Sequence, residues 1–184
     1  MRQTIYGTVL YIILIIPPVI SLLESVMILH MLVQFPLLMI VGYLWGKSIL
    51  EKYDHFFTKW NTTGVAGILV VFIMTTYWMI PRTMDEALSI WYIELFKFIS
   101  LPLAGLLLRD SLGKLQIVGK VFLFLNYISM FGLMAWLYID SPIQVCNNYL
   151  EIEQQTLGWG LLVITAGMVL YIVQMAFIDQ SEKA

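Results

Sequence analysis

"LGWGLLVITAGMVLYIVQMAFI", Leu157 to Ile178, runs for 22 residues without one charged side chain. About 20 predominantly apolar residues are enough for a helix to cross a bilayer. This run therefore reads as a membrane span, and it decides the fold class. Just before it lies "CNNYLEIEQQT", Cys146 to Thr156, a polar ribbon. An oily helix that opens on amides and carboxylates marks a membrane boundary.

The rest of the chain reads the same way. Of 184 residues, 60% are hydrophobic and only 12% charged, with a mean hydropathy of +0.86. Soluble domains carry about 25% charged residues. Six apolar runs are long enough to span: roughly 5–23, 27–46, 63–81, 88–108, 117–139 and 157–178. The expected fold is all-α, a polytopic membrane protein with six transmembrane helices in one bundle and a single domain over 1–184. The first run continues too far, with no small-residue cleavage site, to be a removed signal peptide. Spans one and two form a tight hairpin around Glu24 and contain Pro17, Pro18 and Pro36. Carbonyls freed by such prolines need partners on neighbouring helices.

Charge sets the orientation. Arg2, Lys47, Lys52, Lys59, Arg109, Lys114, Lys120 and Lys183 fall on one side of a six-span chain, and Arg82 alone on the other. Lysine and arginine stay cytoplasmic, so both termini are expected in the cytoplasm of a bacterial cell, with the chain in its cytoplasmic (inner) membrane. The outer side gathers Asp85, Glu86, Asp140, Glu151 and Glu153. A net charge of −2 excludes a nucleic-acid partner, which demands a basic footprint. One cysteine excludes an internal disulfide framework and any CxxC site. Asn61 in "NTT" matches a glycosylation acceptor but falls on the inner side.

Three groups of residues could carry chemistry. His30 stands near the outer end of span two, with Met27 and Met31 beside it and Cys146 on the same side. Imidazole, thioether and thiolate together make a soft-ligand set for copper; the bland alternative is core-filling methionine. His55 lies on the inner side, which excludes a bis-histidine haem shared with His30. Lys97 lies roughly 13 Å down span four at 1.5 Å per residue, where an ammonium must face the bundle or water. Glu94, three residues earlier on the same helix face, is its expected partner, as a register-fixing ion pair or as part of an ion path. Arg82 and Asp85 are expected to pair similarly outside. The third group is an outer polar cap of Arg82, Asp85, Asn147, Asn148, Glu151, Gln154 and Gln155, whose amides can bind helices together. It is expected to pack against His30 and the Arg82–Asp85 segment. No nucleophile–histidine–acid set, phosphate-binding glycine loop or HExxH is present.

Three stretches carry a family resemblance: "HMLVQFPLLMIVGYLWG" from His30, "TTYWMIPRTMDEAL" from Thr75 and "EQQTLGWGLLVITAGMVLY" from Glu153. They resemble CtaG-type cytochrome c oxidase assembly proteins and related small bacterial membrane proteins, over about a third of the chain. That resemblance implies a multi-span protein concerned with copper delivery to haem–copper oxidases. His30, Met31 and Gln34 match the family pattern with one residue of extra spacing. Phe35 stands where its second histidine is expected. A chain that keeps the scaffold without the ligands implies a non-enzymatic accessory or assembly subunit, with a larger membrane complex and lipid as partners and no required cofactor. Copper handling through His30, Met27, Met31 and Cys146 is the alternative, and a small transporter using Lys97 and Glu94 the third.

Overall fold

The computed structural model describes residues 2–141 and 144–181. Lys183, counted above among the inner charges, lies outside them. All regular structure among the described residues is helical. Helix α1 spans Arg2–Leu14, α2 Pro17–Glu24, α3 Met27–Leu29, α4 Phe35–Lys52, α5 Asp54–Trp60 and α6 Val65–Met79. Then follow α7 Pro81–Ser89, α8 Trp91–Lys114, α9 Ile117–Asp140 and α10 Glu151–Ser181.

Four segments are long and apolar enough to cross a membrane alone: Met27–Lys52, Trp91–Lys114, Ile117–Asp140 and Glu151–Met175. Two bent pairs raise the number to six if each pair is one crossing. The expected straight span at 5–23 is broken, because α2 turns 73° from α1. Pro17 is the cause. Its ring pushes the preceding residue out of helical geometry, and Ile16 is extended at ψ 126°. The expected span at 63–81 is α6 alone, which stands at 87° to α5. Gly64 makes that corner at φ +80°, a left-handed conformation that glycine adopts without a Cβ clash. Helix α5, with Tyr53 just before it, sets Phe56, Phe57 and Trp60 at the spacing of an amphipathic stripe. The last helix begins at Glu151 rather than Leu157, so half of the polar ribbon lies in its first two turns. Glu153 accepts the backbone N–H of Leu150 at 2.9 Å and caps the start.

Helices α4 and α8 form the central pair, with α1 packed on α4 and α6 on α8. The two touch at backbone level. A methyl group on Gly42 would lie 1.7 Å from the Pro102 carbonyl oxygen, and one on Gly105 would lie 1.8 Å from that of Met39. Small residues permit this approach where lipid gives no hydrophobic drive. Pro102 inside α8 cannot bond the carbonyl four residues back. That carbonyl, on Phe98, accepts the Tyr11 hydroxyl from α1 at 3.2 Å. Helices α9 and α10 pair with each other and join the rest through α3 and a limited contact on α6. Only Ala135 and Tyr138 of α9 are buried.

Polar contacts collect at two opposite ends. One end joins Thr4 to Ser48 and Arg109 to Gln3, and ties Asn61 to Asp110 and Ser111. The other joins Glu24, His30, Lys97, Asp85 and the 144–150 segment.

Candidate functional site

Lys97 is fully buried on α8. Its ammonium pairs with the Glu24 carboxylate at the end of α2. It also donates to Gln34 Oε1 at 3.3 Å and faces His30 Nε2 at 3.3 Å. Three N–H donors thus meet three acceptors. An ammonium has no lone pair, so His30 Nε2 must accept and Nδ1 carries the ring proton. Nδ1 lies 2.8 Å from the Tyr149 hydroxyl, which donates to the Glu24 carbonyl at 2.9 Å. The polarity runs one way, from Lys97 through His30 and Tyr149 to the Glu24 backbone.

The local fold follows from Pro36. Its ring clashes with the carbonyl four residues back and it offers no N–H. The chain widens into a π-turn over His30–Gln34, with the Phe35 N–H bonded to the His30 carbonyl. His30 and Gln34, one turn apart, both meet Lys97. Phe35 packs edge-on against the imidazole, with ring centres 5.0 Å apart.

Above this cluster lies a lid of polar chain. Asp85 on α7 accepts the backbone N–H groups of Asn147 at 2.7 Å and Asn148 at 3.2 Å, and both side-chain amides also reach it. Gln154 on α10 accepts from the Val145 amide at 2.9 Å and donates to the carbonyls of Cys146 and Tyr149. Two buried or near-buried side chains, Asp85 and Gln154, therefore fix the segment that positions Tyr149 over His30. Cys146 is buried, its thiol aimed at the Pro81 carbonyl 3.9 Å away and beside the Tyr138 hydroxyl. Burial, helped by the negative charge of Asp85, pushes that thiol up to about 12.

Several expectations need correction. Lys97 pairs with Glu24, not Glu94; Glu94 is half-buried beside Tyr11 and Trp91. Sequence spacing favours the helical neighbour, but α2 folds over the helix end and brings a closer carboxylate. Arg82 pairs with Glu86 at 2.8 Å, one turn on, while Asp85 faces inward to the asparagines. The copper set is not assembled. His30 spends both nitrogens on Tyr149 and Lys97, the latter a cation, and the Cys146 thiol is directed elsewhere. Met27 and Met31 belong to the apolar core. Among the described residues, no three His, Cys, Asp or Glu side chains gather to hold a metal ion. Glu151 and Gln155 meet each other, at 3.5 Å on the surface.

Sequence reasoning missed Glu24, Gln34 and Tyr149 as members of the cluster. One signal was available: Glu24 is the only charged residue between Arg2 and Lys47. Pairing that lone acid with the lone lysine of span four would have found the bridge. A second cluster at the opposite end was missed as well. Asn61 donates to Asp110 at 2.7 Å and Ser111 at 3.0 Å and accepts the Gly67 N–H at 2.9 Å. Lys114 closes it on Asp110 at 2.7 Å.

No protein-family model matches the chain, and no curated protein or solved structure shows significant similarity to it.

Proposed function

We propose that this is a non-catalytic accessory or assembly subunit of a larger metalloenzyme complex in a bacterial cytoplasmic membrane. It crosses the membrane six times, with both termini in the cytoplasm. The grouping of Gln3, Ser48, Asn61 and Arg109 at one end, and of Glu24, Asp85 and Asn147 at the other, supports the six-crossing reading. The first end carries Arg2, Lys47, Lys52, Lys59, Arg109, Lys114 and Lys120, which favours the cytoplasm.

One observation carries the docking half of the proposal. The outer cap spends Asp85, Asn147, Asn148 and Gln154 internally, yet leaves Leu150 67% and Ile152 65% exposed at its edge. Ordered apolar side chains beside a polar rim fit a protein contact. The saturated lysine cluster supports a structural role, since each of its donors already has an acceptor within the chain. The metalloenzyme half rests on the resemblance to CtaG-type proteins. Copper delivery through His30 has the neighbouring Lys97 charge against it.

The test is purification in mild detergent followed by mass spectrometry. Larger membrane subunits should accompany the parent chain. Leu150→Asp with Ile152→Asp should release them without lowering the melting temperature. A parent chain that purifies alone from its native membrane would overturn the reading.

A further inference from the structure

The corner between α5 and α6 is held from inside. Asn61 is buried there and spends its side chain on Asp110, Ser111 and the Gly67 N–H. Its own backbone N–H bonds the Phe57 carbonyl at 2.9 Å, and the Lys114 ammonium reaches that carbonyl at 3.3 Å. A methyl group on Gly67 would lie 2.2 Å from Ser111 Oγ, so the corner is filled as well as bonded. The 87° angle between the two helices is therefore built in. If α6 crosses the bilayer, α5 lies close to its plane. Helix α6 has 15 residues, about 22 Å at 1.5 Å per residue. That falls short of a hydrocarbon core of about 30 Å, which draws α5 to the boundary of acyl chains and headgroups.

The two faces of α5 suit that place. Phe57 packs inward on the core cluster of Ile68, Leu107 and Leu115, which shows which side looks toward the apolar middle of the bundle. Phe56 meets Phe57 edge-on and stacks on Trp60, with ring centres 5.3 and 6.4 Å apart. Yet Phe56 is 60% and Trp60 42% exposed. Asp54, His55, Thr58 and Lys59 take the other side by helical spacing, and all four are exposed. Residues 47–64 and 109–120 carry six lysines and arginines against Glu51, Asp54 and Asp110. Among the described residues, Lys47, Lys52 and Lys59 make no ion pair.

We infer that α5 is an in-plane helix that seats Phe56 and Trp60 in the acyl boundary of one leaflet and gathers anionic phospholipid on Lys52 and Lys59. The inference rests on the membrane-crossing reading and not on the accessory role. An amphipathic helix binds such a boundary through its apolar face and through attraction to anionic lipid. Lysine stems can lie along apolar surface while the ammonium stays among headgroups. The competing occupant of the aromatic face is a water-soluble protein.

Neighbouring positions on opposite faces give the test. Spin labels are placed on Phe56→Cys and on His55→Cys in a Cys146→Ser chain, reconstituted into phosphatidylcholine with phosphatidylglycerol. Both positions are exposed, so the fold should survive labelling. Should Cys146→Ser fail to fold, the parent serves instead, since its thiol is buried. The label at Phe56→Cys should collide mainly with oxygen, which concentrates in lipid. The label at His55→Cys should collide mainly with a water-soluble nickel chelate. Spin-labelled phosphatidylglycerol should bind the parent about fivefold better than spin-labelled phosphatidylcholine, the preference that one lysine at an anionic surface gives. Lys52→Gln with Lys59→Gln should remove most of that preference. Nickel collisions dominant at both positions overturn the proposal in favour of a protein partner. Oxygen dominant at both overturns it in favour of a helix that re-enters the bilayer. Equal binding of the two lipids by the parent overturns it as well. Extraction of the chain by alkaline carbonate is a different failure, because it removes the membrane reading itself.

Discussion

Lys97 makes its ion pair with Glu24, 73 residues earlier in the chain, and not with Glu94 one helical turn away. The difference has an energetic meaning. A pair within one helix fixes only side-chain positions. A pair between α2 and α8 fixes the angle at which α2 folds back over the bundle end, and Gln34 and His30 tie α4 into the same knot.

Breaking one side of a buried pair leaves an uncompensated charge and costs about 3–5 kcal/mol in soluble proteins. Lys97→Met should lower the melting temperature in detergent accordingly. Glu24→Gln in the same chain should recover part of the loss. Glu94→Gln should stay within about 0.5 kcal/mol of the parent, as substitutions away from such features do. An Glu94→Gln variant as unstable as Lys97→Met would refute the assignment of the partner.

Among the described residues, Tyr149 is the only group that joins the lid to the lysine cluster through side-chain hydrogen bonding. Tyr149→Phe removes one hydroxyl and orphans the His30 N–H, an unsatisfied donor costing about 1–3 kcal/mol. Hydrogen exchange should speed up at Asn147 and Asn148, while the amides of α8 keep their protection. Uniform loosening of the whole chain would show that the hydroxyl does more than seat the lid.

Gly42 has no room for a side chain, since the Pro102 backbone occupies the place of its Cβ. Gly42→Ala must push α4 from α8, an overpacking error of about 1–3 kcal/mol or more. Gly167→Ala, with nothing within 4 Å, should leave the melting temperature unchanged. Equal melting temperatures for the two variants would contradict the close crossing.

Cys146 is buried and its thiol is raised from 9.0 to about 12, by burial first and then by Asp85. The folded pKa exceeds the unfolded one, so the contribution is complete below pH 9 and is lost as pH climbs toward 12. Cys146→Ser should flatten the fall in stability across that window. At pH 8 an impermeant maleimide should leave Cys146 unmodified in the folded chain. In a Cys146→Ser background it should label Glu151→Cys from outside the cell and should not label Lys52→Cys; the reverse pattern would invert the orientation.

The long apolar runs were legible because hydropathy over some 20 residues is a summed property that tolerates local error. Cys146 to Gln155 was legible as a boundary for the same reason, since amides cannot continue into lipid. The bends were harder. Pro17 announces a break, but its 73° depends on where α2 finds partners. Asn61–Gly64 announces a turn only if the asparagine is known to reach Asp110. The Glu24 bridge and the Arg82–Glu86 pair were misread because sequence neighbours are visible in a string and spatial neighbours are not. The Gly42–Gly105 crossing left a trace in Gly42 and Gly46, four residues apart in "GYLWG", a spacing that often marks close helix approach.

The long reach of the Glu24–Lys97 bridge also has a meaning in time. A ribosome adding 5–20 residues per second needs about 4–15 s to go from residue 24 to residue 97. For that interval the newborn first hairpin holds a carboxylate whose counter-ion has not yet been made. In the six-crossing proposal, the bend at Pro17 would hold this acid near the rim of the bilayer, where it can stay hydrated until the fourth apolar run is inserted. In the finished protein Glu24 keeps 12% of its side chain exposed.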